Sequence, residues 1–186
     1  MFNTFFKWFY KVRGWKVGGN LPPEMKKCVI IVAPHTSGWD FVYGAGAKLL
    51  LPLDAIYLAK KELFKWPLKK MFLNLGGVPV DRSRSAGLTE AMIDYIKTHE
   101  IAHVVFPPEG TRKRVTRWRK GFYYAALGAG VPIAMAYIDY REKKAGIGPS
   151  FMPSGNIKKD FDIIRNFYKS ITAFDPEKFA LPEDQP

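Results

Sequence analysis

Apolar residues along this chain fall into two spacings. Short runs rich in β-branched residues occupy 28–33 (CVIIVA), 54–59 (DAIYLA), 77–80 (GVPV), 102–106 (AHVVF) and 131–138 (VPIAMAYI), and these predict strands. Longer amphipathic stretches lie at about 39–50, 66–74, 85–98, 119–129 and 160–170 and predict helices. Within 85–98, Leu88, Met92, Tyr95 and Ile96 recur at helical spacing, so one face is apolar. Alternation of the two patterns predicts an α/β fold: one domain, with a mixed, mostly parallel sheet flanked by helices.

The first residues, MFNTFFKWFYKVRGW, carry a third pattern. On a helical wheel Phe2, Phe5, Phe6, Trp8, Phe9, Tyr10 and Val12 share one broad face, and Asn3, Thr4, Lys7 and Lys11 the other. Lys7 splits the apolar stretch and no small-residue cleavage site follows, unlike a secretory leader. Residues 1–12 are therefore expected to form an amphipathic helix. Its aromatic face either packs on the domain or lies at a membrane interface, where aromatics mixed with lysines are favoured. The longest uncharged run, 121–138, is broken by Gly128, Gly130 and Pro132, so it predicts helix, turn and buried strand rather than a membrane span.

Composition narrows the partners. The chain has 186 residues and 47% hydrophobic content, enough for one sizeable core. Its 29 Lys and Arg against 17 Asp and Glu give a formal charge of +12, which favours anionic partners: phosphate esters, anionic lipid or nucleic acid. Cys28 is the only cysteine, which rules out an internal disulfide or a C-x-x-C site and fits a reducing, cytosol-facing location. Pro-rich character is confined to 21–24 and to the tail 181–186, read as a loop and a frayed end.

Three local patterns suggest chemistry. His99 to His103 (HEIAH) matches the H-E-x-x-H pattern of zinc proteases, which needs both histidines on one helix. Residues 102–106 predict a strand instead, so His99 is expected at a helix C-terminus, His103 on a strand, and no metal between them. The basic run 112–120 (RKRVTRWRK) would suit an anion, but no nucleic-acid recognition motif accompanies it and no nucleic-acid partner is expected.

The third pattern is PHTSGWD at 34–40. On one regular helix His35 and Asp40 would point about 140° apart. A strand ending near Ala33, then Pro34 and Gly38, supplies a break that lets the aspartate approach the imidazole, fix its tautomer and stabilise its protonated form. Such a histidine is a general base, and with no G-x-S-x-G elbow in the chain it would act on a substrate hydroxyl or on water.

PHTSGWD (34–40), GGVPVDR (76–82), PEGTR (108–112) and VPI (131–133), in that order, resemble the four blocks of the glycerolipid acyltransferases, the lysophosphatidic acid acyltransferase family, over about residues 13–138. Pro34 and Pro107 stand where that family commonly has Asn and Phe. The resemblance implies transfer of a fatty acyl group from an acyl-CoA or acyl carrier protein thioester to a lysophospholipid hydroxyl, such as that of 1-acyl-glycerol-3-phosphate. It implies no covalent acyl-enzyme and no cofactor beyond the thioester substrate. By that likeness His35 is the base and Asp40 its orienter. Arg82, Gly110, Thr111 and Arg112 form the phosphate-binding group, and Glu109 helps to position the acceptor. Arginine suits that role because it can grip a phosphate with two parallel hydrogen bonds; a salt bridge to a nearby arginine is the other reading of Glu109. The acyltransferase domain is then expected over 13–180, peripheral on the inner face of the cell membrane. Two alternatives stay open: an acceptor without phosphate, such as an amino-acid lipid, and a non-catalytic module binding lipid or nucleic acid.

Overall fold

A computed structural model describes residues 2–51, 53–80 and 85–183. The chain runs α1 (Phe2–Arg13), β1 (Lys16–Gly18), β2 (Lys27–Ala33), α2 (Gly38–Leu50), β3 (Ala55–Lys60), α3 (Lys69–Asn74), β4 (Gly77–Val80) and α4 (Ser85–Thr98). It continues through β5 (Ala102–Phe106), α5 (Gly121–Ala129), β6 (Ile133–Asp139), β7 (Lys144–Phe151) and α6 (Ile157–Tyr168). The strands form one sheet in the order β1-β7-β6-β2-β5-β3-β4, parallel except for the antiparallel pair β6–β7. The expected mixed, mostly parallel sheet is therefore present.

The two-residue period of β2 sorts the core. Val29, Ile31 and Ala33 face one side and join Met92 and Ile96 of α4, Phe122 of α5, and Phe161 and Ile164 of α6. Cys28 and Ile30 face the other side, among Leu21, Ala55, Ala134, Ala136 and Ile147. This buried strand reads as a continuous apolar run because both faces are covered. The Cys28 thiol is fully buried, and desolvation pushes its pKa up to about 12, which keeps it from acting as a nucleophile.

On that second side α2 lies over the sheet and α1 over α2. Gly46 permits the close approach, since a Cβ there would come within 2.6 Å of both Phe6 and Tyr10. The Tyr10 hydroxyl donates to the Tyr43 carbonyl, and Trp15 stacks on Tyr43 with ring centroids 3.7 Å apart. The broad aromatic face of α1 is thereby divided. Phe6 and Tyr10 are core, whereas Phe5 and Trp8 are 50% and 59% exposed and Val12 is exposed beside them. Among the described residues no helix is long and apolar enough to cross a membrane.

Two strands escape the hydrophobic pattern, β1 and β7. Two helices begin elsewhere than expected: α3 at Lys69, beyond Pro67, and α6 at Ile157, where the Asn156 side chain accepts from the Lys159 N–H and caps it.

Candidate active site

The carboxyl ends of the parallel strands β2, β5 and β6 lie side by side, so the segments 34–37, 107–112 and 139–143 converge there. Open α/β sheets place ligand crevices at this edge. The first segment links β2 to α2 and is pinned by a capping box. Ser37 is the N-cap, its hydroxyl accepting from the Trp39 N–H, and Asp40 reaches back to the Ser37 N–H.

That capping role turns the Asp40 carboxylate toward the histidine. Oδ2 accepts from the main-chain N–H groups of Thr36 at 2.6 Å and Ser37 at 2.7 Å, and lies 3.4 Å from His35 Nδ1. Oδ1 accepts from the Tyr140 hydroxyl at 2.8 Å. Asp40 is only 3% exposed. Burial opposes its ionisation, yet the hydrogen bonds from His35, Ser37, Tyr140 and Thr36 outweigh it and hold its pKa below the ordinary value. An ionised acceptor on Nδ1 requires the proton there and leaves Nε2 with its lone pair free, the tautomer of a general base. The His35 side chain is 27% exposed, open enough to meet a substrate.

Glu109 holds the same loop from the other side. Its Oε1 accepts from the His35 main-chain N–H at 2.9 Å, while Oε2 is buried with no hydrogen-bond partner among the described residues. Desolvation pushes its pKa up to about 7; the His35 contacts pull it down and the ionised Asp40 adds to the rise. Gly110 has φ +67°, in the left-handed region, and a Cβ there would lie 2.3 Å from Arg119 Nε. The Arg112 guanidinium reaches the start of α2, where a Cβ built on Gly38 would be 3.3 Å from Nη1. Thr111, on the same turn, accepts from the Lys113 N–H through its hydroxyl. His35, Asp40, Glu109 and the turn 110–112 are thus brought to one strand edge, while Arg82 lies outside the described residues.

Tyr140 is a site residue that the sequence does not announce. It follows β6, a hundred positions from Asp40, and packs edge-on against Trp15, Tyr43 and Phe174. Burial and the facing carboxylate push its hydroxyl pKa well above the ordinary value, so it remains a donor.

His35 and Asp40 also line an apolar cavity of about 220 Å³ between α2 and the sheet. It exists because α2 turns Gly44 and Ala45 inward, opposite Ala136, Ala145 and Gly146. The zinc pattern is not assembled: His99 follows α4 and bonds the Tyr95 carbonyl, and His103 lies on β5 and bonds the Met25 carbonyl. The basic run is partly engaged in folding, with Arg114 donating to the Glu177 and Phe179 carbonyls.

A carboxylate-oriented histidine thus stands at a sheet edge beside an apolar cavity. The Acyltransferase family model matches residues 15–139, and the chain belongs to that family. It is 31% identical over 116 residues to a 1-acyl-sn-glycerol-3-phosphate acyltransferase of Streptococcus pneumoniae, covering 58% of this chain and 43% of that protein. It is 27% identical over 125 residues to the protein of the same name from Salmonella typhimurium, covering 63% and 49%. The chain thus spans a little under half the length of these relatives. The crystal structure of the 1-acyl-sn-glycerophosphate (LPA) acyltransferase PlsC from Thermotoga maritima matches with a TM-score of 0.61 and 22% identity, over 91% of this chain and 74% of that one. That likeness establishes the fold.

Proposed function

We propose that this protein transfers a fatty acyl group from a thioester, carried on coenzyme A or acyl carrier protein, to the hydroxyl of a lysophospholipid such as 1-acyl-glycerol-3-phosphate. The observation that carries this reading is a part-exposed His35, held by a buried, ionised Asp40, in the lining of an apolar cavity. His35 Nε2 removes the acceptor's hydroxyl proton as that oxygen attacks the thioester carbonyl, and Asp40 stabilises the imidazolium that forms. The tetrahedral intermediate collapses by breaking the C–S bond, and the imidazolium returns its proton to the leaving thiolate. The cavity takes the acyl chain. Arg112 and the turn at Gly110 and Thr111 offer a guanidinium, main-chain N–H groups and a hydroxyl to the phosphate, with Arg82 expected to join them. Glu109 acts by fixing the His35 loop.

The exposed half of α1 and the basic surface supply the membrane contact: Phe5, Trp8 and Val12 insert among headgroups, and lysines and arginines meet anionic lipid. On this reading the protein is peripheral, on the face of the membrane where thioesters are made.

The test is thiol release from acyl-CoA or acyl carrier protein with a panel of lyso-lipids with and without phosphate. The wild type should require a phosphate-bearing acceptor, and His35→Ala should lower turnover by at least about a thousandfold while retaining the native melting transition. Full activity in His35→Ala would overturn the assignment of the base. Turnover of phosphate-free acceptors alone would move Arg112 to a carboxylate, and no turnover with any pair would leave a lipid-binding module.

A further inference from the structure

The floor of the acyl cavity contains a lysine, and an apolar cavity gives that residue something to do. Phe41, Gly44, Ala45 and Lys48 of α2 line the cavity together with Asp40 and Ala47, mostly at the spacing of one helical face, and Leu51 of the C-cap follows them. The two small residues create the space. Lys48 borders that space: Nζ donates to the Leu75 carbonyl at 2.8 Å, tying α2 to the turn before β4. Gly76 makes room for this strut, since a Cβ there would lie 2.4 Å from Nζ, and its φ of +84° places the turn in the left-handed region. Burial lowers the pKa of Lys48, with Asp54 opposing the shift.

We propose that Lys48 is the residue that sets acyl-chain length, its hydrogen-bonded strut to Leu75 forming the stop at the far end of the cavity. This rests on the acyl-transfer reading above. A hydrocarbon tail that reaches the strut must either halt there or displace a partly buried ammonium group from the Leu75 carbonyl, and an alkyl terminus offers that group nothing in return. Lys48 stands two turns beyond Asp40, about 12 Å along the helix axis. A straight chain of C–C bonds advances about 1.25 Å per carbon. Roughly ten carbons therefore fit between the reacting carbonyl and the strut. Leu51 and Leu53 line the same apolar wall next to Lys48, so removal of the amine leaves hydrocarbon surface for a longer tail.

The experiment measures binding of saturated S-acyl-pantetheine thioesters, from hexanoyl to octadecanoyl, to the full chain by calorimetry. Pantetheine is the part common to coenzyme A and acyl carrier protein, so the result does not depend on the carrier. In the wild type Kd should fall about fourfold per added carbon while each methylene is buried, then level off where the tail meets Lys48. In Lys48→Ala that break should move about four carbons longer, the roughly 5 Å that the removed side chain spans beyond Cβ. Lys48→Met keeps the bulk and loses the donor, and should move the break in the same direction by less; it also serves if the alanine variant fails to fold. Lys48→Arg, which can still donate to Leu75, should leave the break in place. Breaks at the same carbon number in wild type, Lys48→Ala and Lys48→Met would overturn the proposal while leaving the acyl-transfer reading intact. No chain-length dependence in any variant, the wild type included, would overturn the acyl-transfer reading and the proposal with it.

Discussion

Replacing Glu109 by Gln should make the protein's stability less dependent on pH, in a direction the structure fixes. Glu109 is 6% exposed, one oxygen accepts the His35 N–H and the other has no partner among the described residues. Burial raises its pKa from the ordinary 4.5 to about 7 in the folded protein. A carboxyl whose folded pKa is raised favours folding when protonated. Its contribution is fully present below about pH 4.5 and is lost as pH rises through about 7. At 1.36 kcal/mol per pH unit, that interval amounts to about 3 kcal/mol. Glutamine keeps the oxygen that accepts from His35 and cannot ionise. Its amide nitrogen inherits the unpartnered position, which adds an offset of about 1–3 kcal/mol at every pH but no slope. Asp40, whose depressed pKa acts in the opposite sense at acid pH, is common to both proteins and cancels in the difference. Urea unfolding of both proteins from about pH 4 to about pH 8.5 should therefore give a stability difference that moves by about 3 kcal/mol in favour of Gln as pH rises, with equal m values. A difference that stays flat across this range would show that Glu109 is ionised in the fold at little cost, and the account of its burial would fail.

Two further outcomes follow from the site and the surface. Tyr140→Phe removes one of the four donors to Asp40, so kcat should fall about tenfold with KM nearly unchanged, and the acid unfolding midpoint should move to higher pH because the carboxylate is less stabilised. Steady-state kinetics and an acid titration read both, and unchanged kcat would remove Tyr140 from the positioning of the histidine. Trp8→Ser takes away a ring more exposed than Phe5 and leaves Phe6 and Tyr10 in the core, so flotation with anionic vesicles should fall severalfold while the melting temperature holds. Equal flotation would place the membrane contact elsewhere.

How much of this was legible in the sequence depends on how local each cause is. The His35 loop could be read because its determinants are adjacent: an apolar run that must be a strand, a proline that ends it, and Gly38 that loosens the turn; the Ser37–Asp40 capping box is what the structure adds. The capping box and the imidazole contact are one geometry, since the aspartate that satisfies the Ser37 N–H is thereby held beside Nδ1. β7 was not legible because KAGIGPSF carries two glycines and a proline, poor strand formers. Its conformation is imposed by β6, and Gly146 is required there because the Gly18 carbonyl would stand 1.5 Å from a side-chain Cβ. Tyr140 reaches Asp40 across a hundred positions, a separation no local pattern encodes. Lys48 shows the same limit from the other direction. Its spacing from Phe41 and Gly44 was visible, but a lysine on a helix is ordinarily read as facing solvent. Only the packing of α2 on the sheet, with Gly44 and Ala45 too small to fill the gap, turns that position inward and makes a cation the end wall of an apolar cavity. Residues that create space are silent in a hydrophobic pattern, because what they contribute is the volume they leave empty.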